Sequence, residues 1–373
     1  MRIALNATCI GSRPCGATQR FAGIYGALIR AMPDNEFVIY EPADGLGKSW
    51  FAELRNVSTI QTPLSSEKTI QRGVRGLHYW RSAFRRERTD IFEAFHLTMT
   101  GAPTGKTLLT IHDLRKLHPE YGYLGRRAYR YALEKSLGAA SRVITVSETM
   151  KKELNAHYPD VPVSVLYNGI DLSLFSRQTS ETLAQVATKL RLPGEFILTV
   201  GHIEKRKNYL RLVDAMARLR DRGCFCPLVI IGNDSGERRA LEERIRRNGL
   251  SNQVLVLSGL SDFEVRCAYQ LCSLFVFPSL YEGFGIPLIE AMASRVPIAV
   301  SDIPVFREIS REHAIYFKPD SVDSMVTAIE LALTSRDERR SMMERGVERA
   351  RMFDFENLAR ELAALHQSVL RAT

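Results

Sequence analysis

Short apolar runs separated by amphipathic stretches organise this chain. Ile3 to Ala7, Phe37 to Tyr40, Ile91 to His96, Thr107 to Ile111, Arg142 to Val146 and Val163 to Tyr167 read as strands, since each is a brief apolar run bounded by polar or turn-forming residues. Helical spacing falls between them, at Phe21, Ile24, Leu28 and Ile29 and again around Arg126 to Leu137, and Ser147 is placed to cap a further helix. From Gly194 the alternation starts afresh. Phe196 to Val200, Leu228 to Ile231, Val254 to Leu257 and Leu274 to Phe277 are the strands of a second set, with helices over Tyr209 to Leu219 and Glu237 to Asn248. Strands that are apolar throughout belong in a parallel sheet covered on both faces. Two such sets predict two doubly wound α/β domains facing each other across a cleft.

Polar residues collect at the strand ends, where ligands gather in open α/β sheets. The Leu274 strand breaks at Pro278-Ser279 and passes through Gly283-Phe284-Gly285 before a helix that Pro287 opens near its first turn. Glycines let the main chain approach a ligand closely, and a new helix offers unpaired N–H groups to an anion, so strand, turn and helix outline a phosphate cradle. Glu282 and Glu290 flank the turn with seven residues between them. Facing one cleft, they would accept hydrogen bonds from two sets of sugar hydroxyls while the turn holds a diphosphate. Arg206 and Lys207, at the entrance to the Tyr209 helix, are cations suited to the same diphosphate. In the first half, the Ile3 strand runs into a glycine-containing loop, Gly11 to Arg20, and the Thr107 strand ends in His112-Asp113.

Composition narrows the classes. A chain of 373 residues accommodates two domains with a core each, and 45% hydrophobic against 25% charged content excludes disorder and fibrous repeats. Met1 to Ala7 reads as a first strand rather than a signal peptide, and no apolar run approaches a membrane span. The six cysteines match no zinc spacing and read as reduced thiols of a cytoplasmic protein, so no metal site is expected. A net charge of +9 favours an anionic partner: a phosphorylated small molecule, a nucleic acid or a membrane surface. No zinc finger, RNP-type motif or repeated basic-aromatic pattern supports nucleic acid. Residues 68–88 carry seven cations against Glu87 alone, with Ile70, Val74, Leu77 and Phe84 near helical spacing. Such a helix either lies on an anionic membrane or packs its apolar stripe on its own sheet and leaves the arginines solvated.

Pro278 to Ala293, P-S-L-Y-E-G-F-G-I-P-L-I-E-A-M-A, resembles the signature of family 4 retaining glycosyltransferases of the GT-B fold. Further phrases resemble the same family: G-H-I-E-K-R-K-N from Gly201 its phosphate site, T-I-H-D from Thr110 its T-x-H-D motif, V-I-T-V-S-E from Val143 and Y-N-G-I-D from Tyr167 the close of its N-terminal domain. The resemblance covers nearly the whole chain, most closely from Gly194 to Ile309. Departures are Ser294-Arg295 for a more usual Cys-Gly, Phe306-Arg307-Glu308 for Pro-Glu, and phenylalanine for tryptophan in the Phe353-Asp354-Phe355-Glu356 segment. None removes a ligand-binding position.

The resemblance implies an N-terminal acceptor-side domain over 1–171, a nucleotide-sugar-binding domain over 172–355, and a C-terminal helix over 356–373 that crosses back to the first. It implies retaining, metal-independent transfer of a hexose, with mannose from GDP-mannose preferred, to a saccharide or lipid-linked saccharide acceptor in surface polysaccharide synthesis. No cofactor is implied beyond the nucleotide diphosphate sugar donor. In the implied site, His112 sits at the reaction centre with Asp113 orienting it or its loop, and Glu282 orients the donor sugar. Gly16 faces the diphosphate, Arg206 and Lys207 hold it, and Gly283, Phe284, Gly285 and Ile286 contribute main chain around sugar and phosphate. Glu290 takes the ribose, and Leu260 and Ser261 lie against the base. A cytoplasmic place at the inner face of the membrane follows, with 68–88 as the candidate contact. The rival readings are a phosphorylase of the same architecture and a non-catalytic nucleotide-sugar-binding protein.

Overall fold

A computed structural model of the chain describes residues 1–11, 16–45, 49–67, 69–86, 88–102 and 105–372. Its contacts divide into two units, Met1–Ile170 with Asp354–Thr373, and Asp171–Phe353. The first is built on seven parallel strands, β1 (Arg2–Asn6), β2 (Glu36–Glu41), β3 (Val57–Gln61), β4 (Ile91–Ala94), β5 (Lys106–Ile111), β6 (Arg142–Thr145) and β7 (Val163–Val165), in the order β3-β2-β1-β4-β5-β6-β7. Alternate residues of a strand face opposite sides of a sheet, and both sides here are covered. Ile3, Leu5, Phe37 and Ile39 join Phe21, Ile24 and Leu28 on one side, while Ala4, Val38, Tyr40 and Phe92 meet Trp80, Leu133 and Leu137 on the other. That double cover is why the strands read as continuous apolar runs. β3, V-S-T-I-Q, lies at the edge and exposes Ser58 and Gln61, so it carries no such run and escaped the sequence reading.

The Thr69–Arg86 helix forms where helical spacing predicted one. Its Trp80 is buried edge-on against Tyr40, with ring centroids 5.1 Å apart, and also against Phe92. Trp80, with Tyr79 and Ala83 beside it, packs on the sheet, whereas Val74 of the expected stripe stands 67% exposed. Ser147 caps the Glu148–His157 helix as expected, accepting the Met150 N–H at 3.1 Å.

Helix Phe355–Arg371 completes the first unit by laying Leu358, Ala359, Leu362 and Val369 into the side lined by Ile24 and Leu28. Within that contact the β4 carboxylate of Glu93 is fully enclosed. His366 Nε2 pairs with its Oε1, and the Tyr25 hydroxyl donates to its Oε2 at 2.5 Å. A buried carboxylate is tolerated only with such partners.

The second unit repeats the plan with six strands, β8 (Ile197–Val200), β9 (Leu228–Ile231), β10 (Val254–Leu257), β11 (Leu274–Phe277), β12 (Ile298–Ser301) and β13 (Ile315–Phe317), ordered β10-β9-β8-β11-β12-β13. In each sheet the strand order reverses once, between β1 and β4 and between β8 and β11. Loops leaving the carboxyl ends of those strands diverge and open a crevice, the place where open α/β sheets bind ligands. Among the described residues, no helix is long and apolar enough to cross a membrane.

Close packing of the C-terminal helix makes a test. A Cβ added at Gly23 would lie 2.2 Å from the Phe355 ring, whereas one at Gly138, in the Tyr123–Ala139 helix, meets nothing within 4 Å. Gly23→Ala is expected to cost about 1–3 kcal/mol in urea unfolding through overpacking. Gly138→Ala should be neutral or stabilise by about 0.5–1 kcal/mol, as alanine does in a helix.

Candidate functional site

In the second unit, the loops after β8 and β11 bring together the residues that the sequence singled out. After β8 the chain turns at Gly201 (φ +146°), forms a single helical turn over Lys205–Lys207, and starts the Tyr209–Asp221 helix after Asn208 (φ +60°). Asn208 secures the turn, its Nδ2 donating to the carbonyls of Pro278 at 3.0 Å and Pro319 at 2.8 Å. A left-handed backbone that asparagine tolerates is thus locked to the loop after β11. Gly201 lies against Gly232, where a Cβ would come within 2.0 Å of the Gly201 carbonyl oxygen.

Glu282 is the centre of the site. Its Oε1 accepts from Lys207 Nζ at 2.7 Å and from the Ser279 hydroxyl at 2.8 Å, and its Oε2 lies 2.6 Å from Arg206 NH1. Arg206 also reaches Glu204 at 2.7 Å and the Tyr281 carbonyl at 3.1 Å. Lys207 is 5% exposed and its ammonium stands 4.7 Å from the centroid of the Phe277 ring. Burial by itself would raise the Glu282 carboxyl, but Lys207 and Arg206 hold it down at about 2. Burial pulls Lys207 below the ordinary lysine value, against the attraction of Glu282. Four charged side chains with two of each sign are therefore balanced at the carboxyl ends of two adjacent strands.

Gly285, with φ +102°, caps the Ile286–Ala293 helix, and Pro287 occupies its first turn. A Cβ there would also press on the Phe306 ring at 2.9 Å, so two constraints require glycine. Phe284 packs its ring edge-on against Phe353 at 5.6 Å. Gly283 and Ile286 flank these residues on the same turn. Glu290 lies on the new helix, where the Tyr269 hydroxyl is 3.1 Å from its Oε2 and 3.3 Å from the Pro287 carbonyl.

Leu260 packs with Leu257, Val186 and Leu190. Ser261 begins the Asp262–Leu271 helix with a capping box: its hydroxyl accepts the Glu264 N–H, and its own N–H donates to Glu264 Oε2 at 2.8 Å. The Ser261 carbonyl accepts the Val265 N–H at 3.0 Å, so its N–H, hydroxyl and carbonyl are all engaged locally.

In the first unit, Gly16 opens the Gly16–Arg20 helix; residues 12–15 of the preceding loop lie outside the described residues. His112 follows β5, its Nε2 buried without a hydrogen-bond partner among the described residues. Burial, with the charge of Arg20 adding, pushes its pKa down to about 3, so the imidazole is neutral at physiological pH. Asp113 shapes the loop: its Oδ1 accepts the Arg115 N–H at 3.3 Å and pairs with that guanidinium at 3.4 Å.

Four further residues belong to these surroundings and were not singled out from sequence. His96 ends the β4 run as His112 ends β5, and its pKa is likewise pushed to about 3 by burial and Arg72. Arg20 is 1% exposed and anchors through NH1 to the carbonyls of Leu166 and Tyr167 and to Asn168 Oδ1. Ser279 and Tyr269 brace the two glutamates. Position at the end of an apolar strand was the available signal for His96, and Ser279 stood inside the Pro278 to Ala293 motif without a role assigned to it; no local pattern marks Arg20 or Tyr269.

Two parallel sheets of this plan, with a charge-balanced cluster at the reversal of strand order in the second, fit the GT-B fold. Residues 182–349 match the family model described as glycosyl transferases group 1, and residues 27–174 match glycosyltransferase family 4. The chain belongs to this family of glycosyltransferases. It is 30% identical over 223 residues to the O-antigen chain mannosyltransferase RfbU of Salmonella typhimurium, covering 59% of each chain. It is 31% identical over 270 residues to the serotype-specific mannosyltransferase WbdA of Escherichia coli, covering 68% of this chain and 32% of that protein. The chain thus spans less than two thirds of either relative. In fold it matches WaaG, a glycosyltransferase involved in lipopolysaccharide biosynthesis, with a TM-score of 0.78 at 19% identity over 97% of this chain and 99% of that one.

The direction of the Glu282 shift makes a pH prediction. A carboxyl held at about 2 in the fold, against an ordinary 4.5, stabilises the protein above pH 4.5 and loses that contribution as pH falls toward 2. Glu282→Gln is therefore expected to lower the unfolding free energy by about 2–3 kcal/mol near neutral pH. The gap from wild type should narrow below pH 4.5; a gap constant with pH in urea titrations would refute the assignment.

Proposed function

We propose that this chain is a retaining, metal-independent hexosyltransferase that moves mannose from GDP-mannose to a saccharide or lipid-linked saccharide acceptor in surface polysaccharide synthesis. The observation that carries the reading is the Glu282, Lys207 and Arg206 cluster at the reversal between β8 and β11. It offers two cations for a departing diphosphate and a carboxylate for sugar hydroxyls. The mannosyltransferase names of RfbU and WbdA support the choice of sugar.

On this reading the donor diphosphate takes over Arg206 and Lys207 from Glu282, which turns its freed lone pairs to the sugar. Main-chain N–H groups at Phe284 and Gly285 add to the phosphate contacts, since the Phe284 ring is occupied in packing. Gly16 approaches the diphosphate from its own unit, and Glu290, braced by Tyr269, accepts from the ribose. As the bond from the anomeric carbon to the β-phosphate oxygen breaks, positive charge grows on the sugar. The acceptor hydroxyl attacks from the same face and passes its proton to the departing phosphate oxygen. Neutral His112 serves as a hydrogen-bonding partner at the reacting sugar rather than as a cation, which would oppose the charge growing there. Leu260 and the main chain around Ser261 are proposed to lie against the base.

A thermal-shift panel of GDP, UDP, ADP and their sugars, with and without magnesium, tests this. Guanosine ligands are expected to raise the melting temperature irrespective of magnesium, and Arg206→Ala with Lys207→Ala to abolish the shift. No shift with any nucleotide would move a phosphorylase or a non-catalytic protein to the front. Tyr269→Phe is expected to weaken GDP binding about three- to ten-fold by calorimetry, through a loosened Glu290. The same variant should leave a 2′,3′-dideoxy nucleotide unaffected; equal weakening of both would separate Tyr269 from the ribose.

A further inference from the structure

Arg72, in the first turn of the Thr69–Arg86 helix, is a buried cation whose charge the first unit leaves half met. It is 7% exposed. Both of its hydrogen bonds among the described residues come from NH1, to the carbonyls of Ser65 at 3.1 Å and Ser66 at 2.5 Å. Its Nε is buried without a partner among the described residues. The carboxylate that attracts it, Asp44, is exposed and turned elsewhere, accepting the Ser65 hydroxyl at 2.6 Å and the Ser66 N–H at 2.7 Å. Residues 12–15, 46–48 and 68, outside the described set, include no acid.

An enclosed guanidinium costs free energy unless its charge is met, and burial pulls Arg72 below the ordinary arginine value. The edge it keeps, Nε with NH2, is a fork that takes a carboxylate or phosphate through two parallel hydrogen bonds. Beside it, His96 lies two residues beyond β4, its Nδ1 likewise buried without a partner among the described residues. A neutral imidazole still donates one hydrogen bond. The loops after β1 and β4 close in on this pair, at the reversal of strand order. A Cβ at Gly11 would lie 2.5 Å from the Ser66 hydroxyl oxygen, and one at Gly73 would meet Met99 Cε at 3.5 Å. Arg20 leaves the same edge without a partner among the described residues, but it is enclosed with the charge of Glu93 at hand.

We propose that Arg72 and His96 form a subsite for an acidic group on the acceptor saccharide, a carboxylate or a phosphate ester, and that Arg72 thereby selects acidic acceptors over neutral ones. Nε and NH2 of Arg72 each donate to an oxygen of that group, and His96 donates to one of the two. Naming the ligand an acceptor rests on the sugar-transfer reading; the anion subsite does not.

Calorimetry of the full chain with methyl glucuronide, mannose 6-phosphate and methyl mannoside, all without nucleotide, tests it. An acidic sugar should bind about ten-fold or more tightly than the neutral one, and the tighter of the two acidic sugars identifies the group. Arg72→Gln should weaken that binding about ten-fold or more, Arg72→Lys should restore part of it, and Arg206→Ala should change it less than about two-fold. A second measurement needs no stable glutamine variant. In protein carrying isotope-labelled arginine, the Arg72 Nε–H resonance, identified by its absence from the Arg72→Lys spectrum, should move with the acidic sugar and stay still with methyl mannoside. The proposal is overturned if neither acidic sugar binds, if the neutral sugar binds as tightly, or if the Arg72 resonance stays still while an acidic sugar is bound. Loss of binding in Arg206→Ala with none in Arg72→Gln also overturns it, since the anion then sits in the second unit. None of these outcomes bears on the nucleotide panel, which reads the Glu282 cluster instead.

Discussion

A lysine ammonium taken almost wholly out of water needs a carboxylate beside it, and much of the second unit serves that requirement. Lys207 reaches Glu282 because β8 and β11 are neighbours, so that the loops from their carboxyl ends meet. Asn208 ties one loop to the other, Gly201 and Gly232 let the strands close without a side chain between them, and Ser279 fills a remaining lone pair of the carboxylate. Removing one partner of such a set leaves a buried charge unpaired, which costs far more than the pair itself contributes. The cluster therefore holds together only as a complete set of partners.

The first unit answers the same physical problem differently. Glu93, in the middle of β4, is closed over by the C-terminal helix, and its charge is met by His366 and Tyr25 rather than by water. Arg20, the buried cation of this region, is spent on main-chain carbonyls after β7 and lends its field to His112. The two strand-end histidines are kept neutral by burial next to arginines.

A net charge of +9 is spread over several helices, but charge alone does not make a docking surface. The Thr69–Arg86 helix packs Trp80 into the core and leaves Val74 exposed, and the Tyr123–Ala139 helix packs Leu133 and Leu137 there and leaves Tyr123, Leu124 and Tyr131 exposed.

The sequence by itself determined the two doubly wound halves, because strands covered on both faces leave apolar runs and the helices between them leave a 3.6-residue period. It also marked Glu282, Arg206, Lys207 and the Gly283-Phe284-Gly285 turn, since phosphate-binding loops impose residue types at short, fixed spacings. Only the tertiary structure decided which charges meet. Lys207 and Glu282 are 75 residues apart, and His366 and Glu93 are 273 apart, distances over which no periodicity reports. Edge strand β3 was missed because it lacks an apolar run. Ser279 and Ser261 bond glutamates only three residues on, so there it was the side-chain geometry, not the spacing, that the tertiary structure decided. It also decided the fate of the basic helix over 69–86, because an amphipathic pattern states that one face will be covered and is silent on whether protein or lipid covers it.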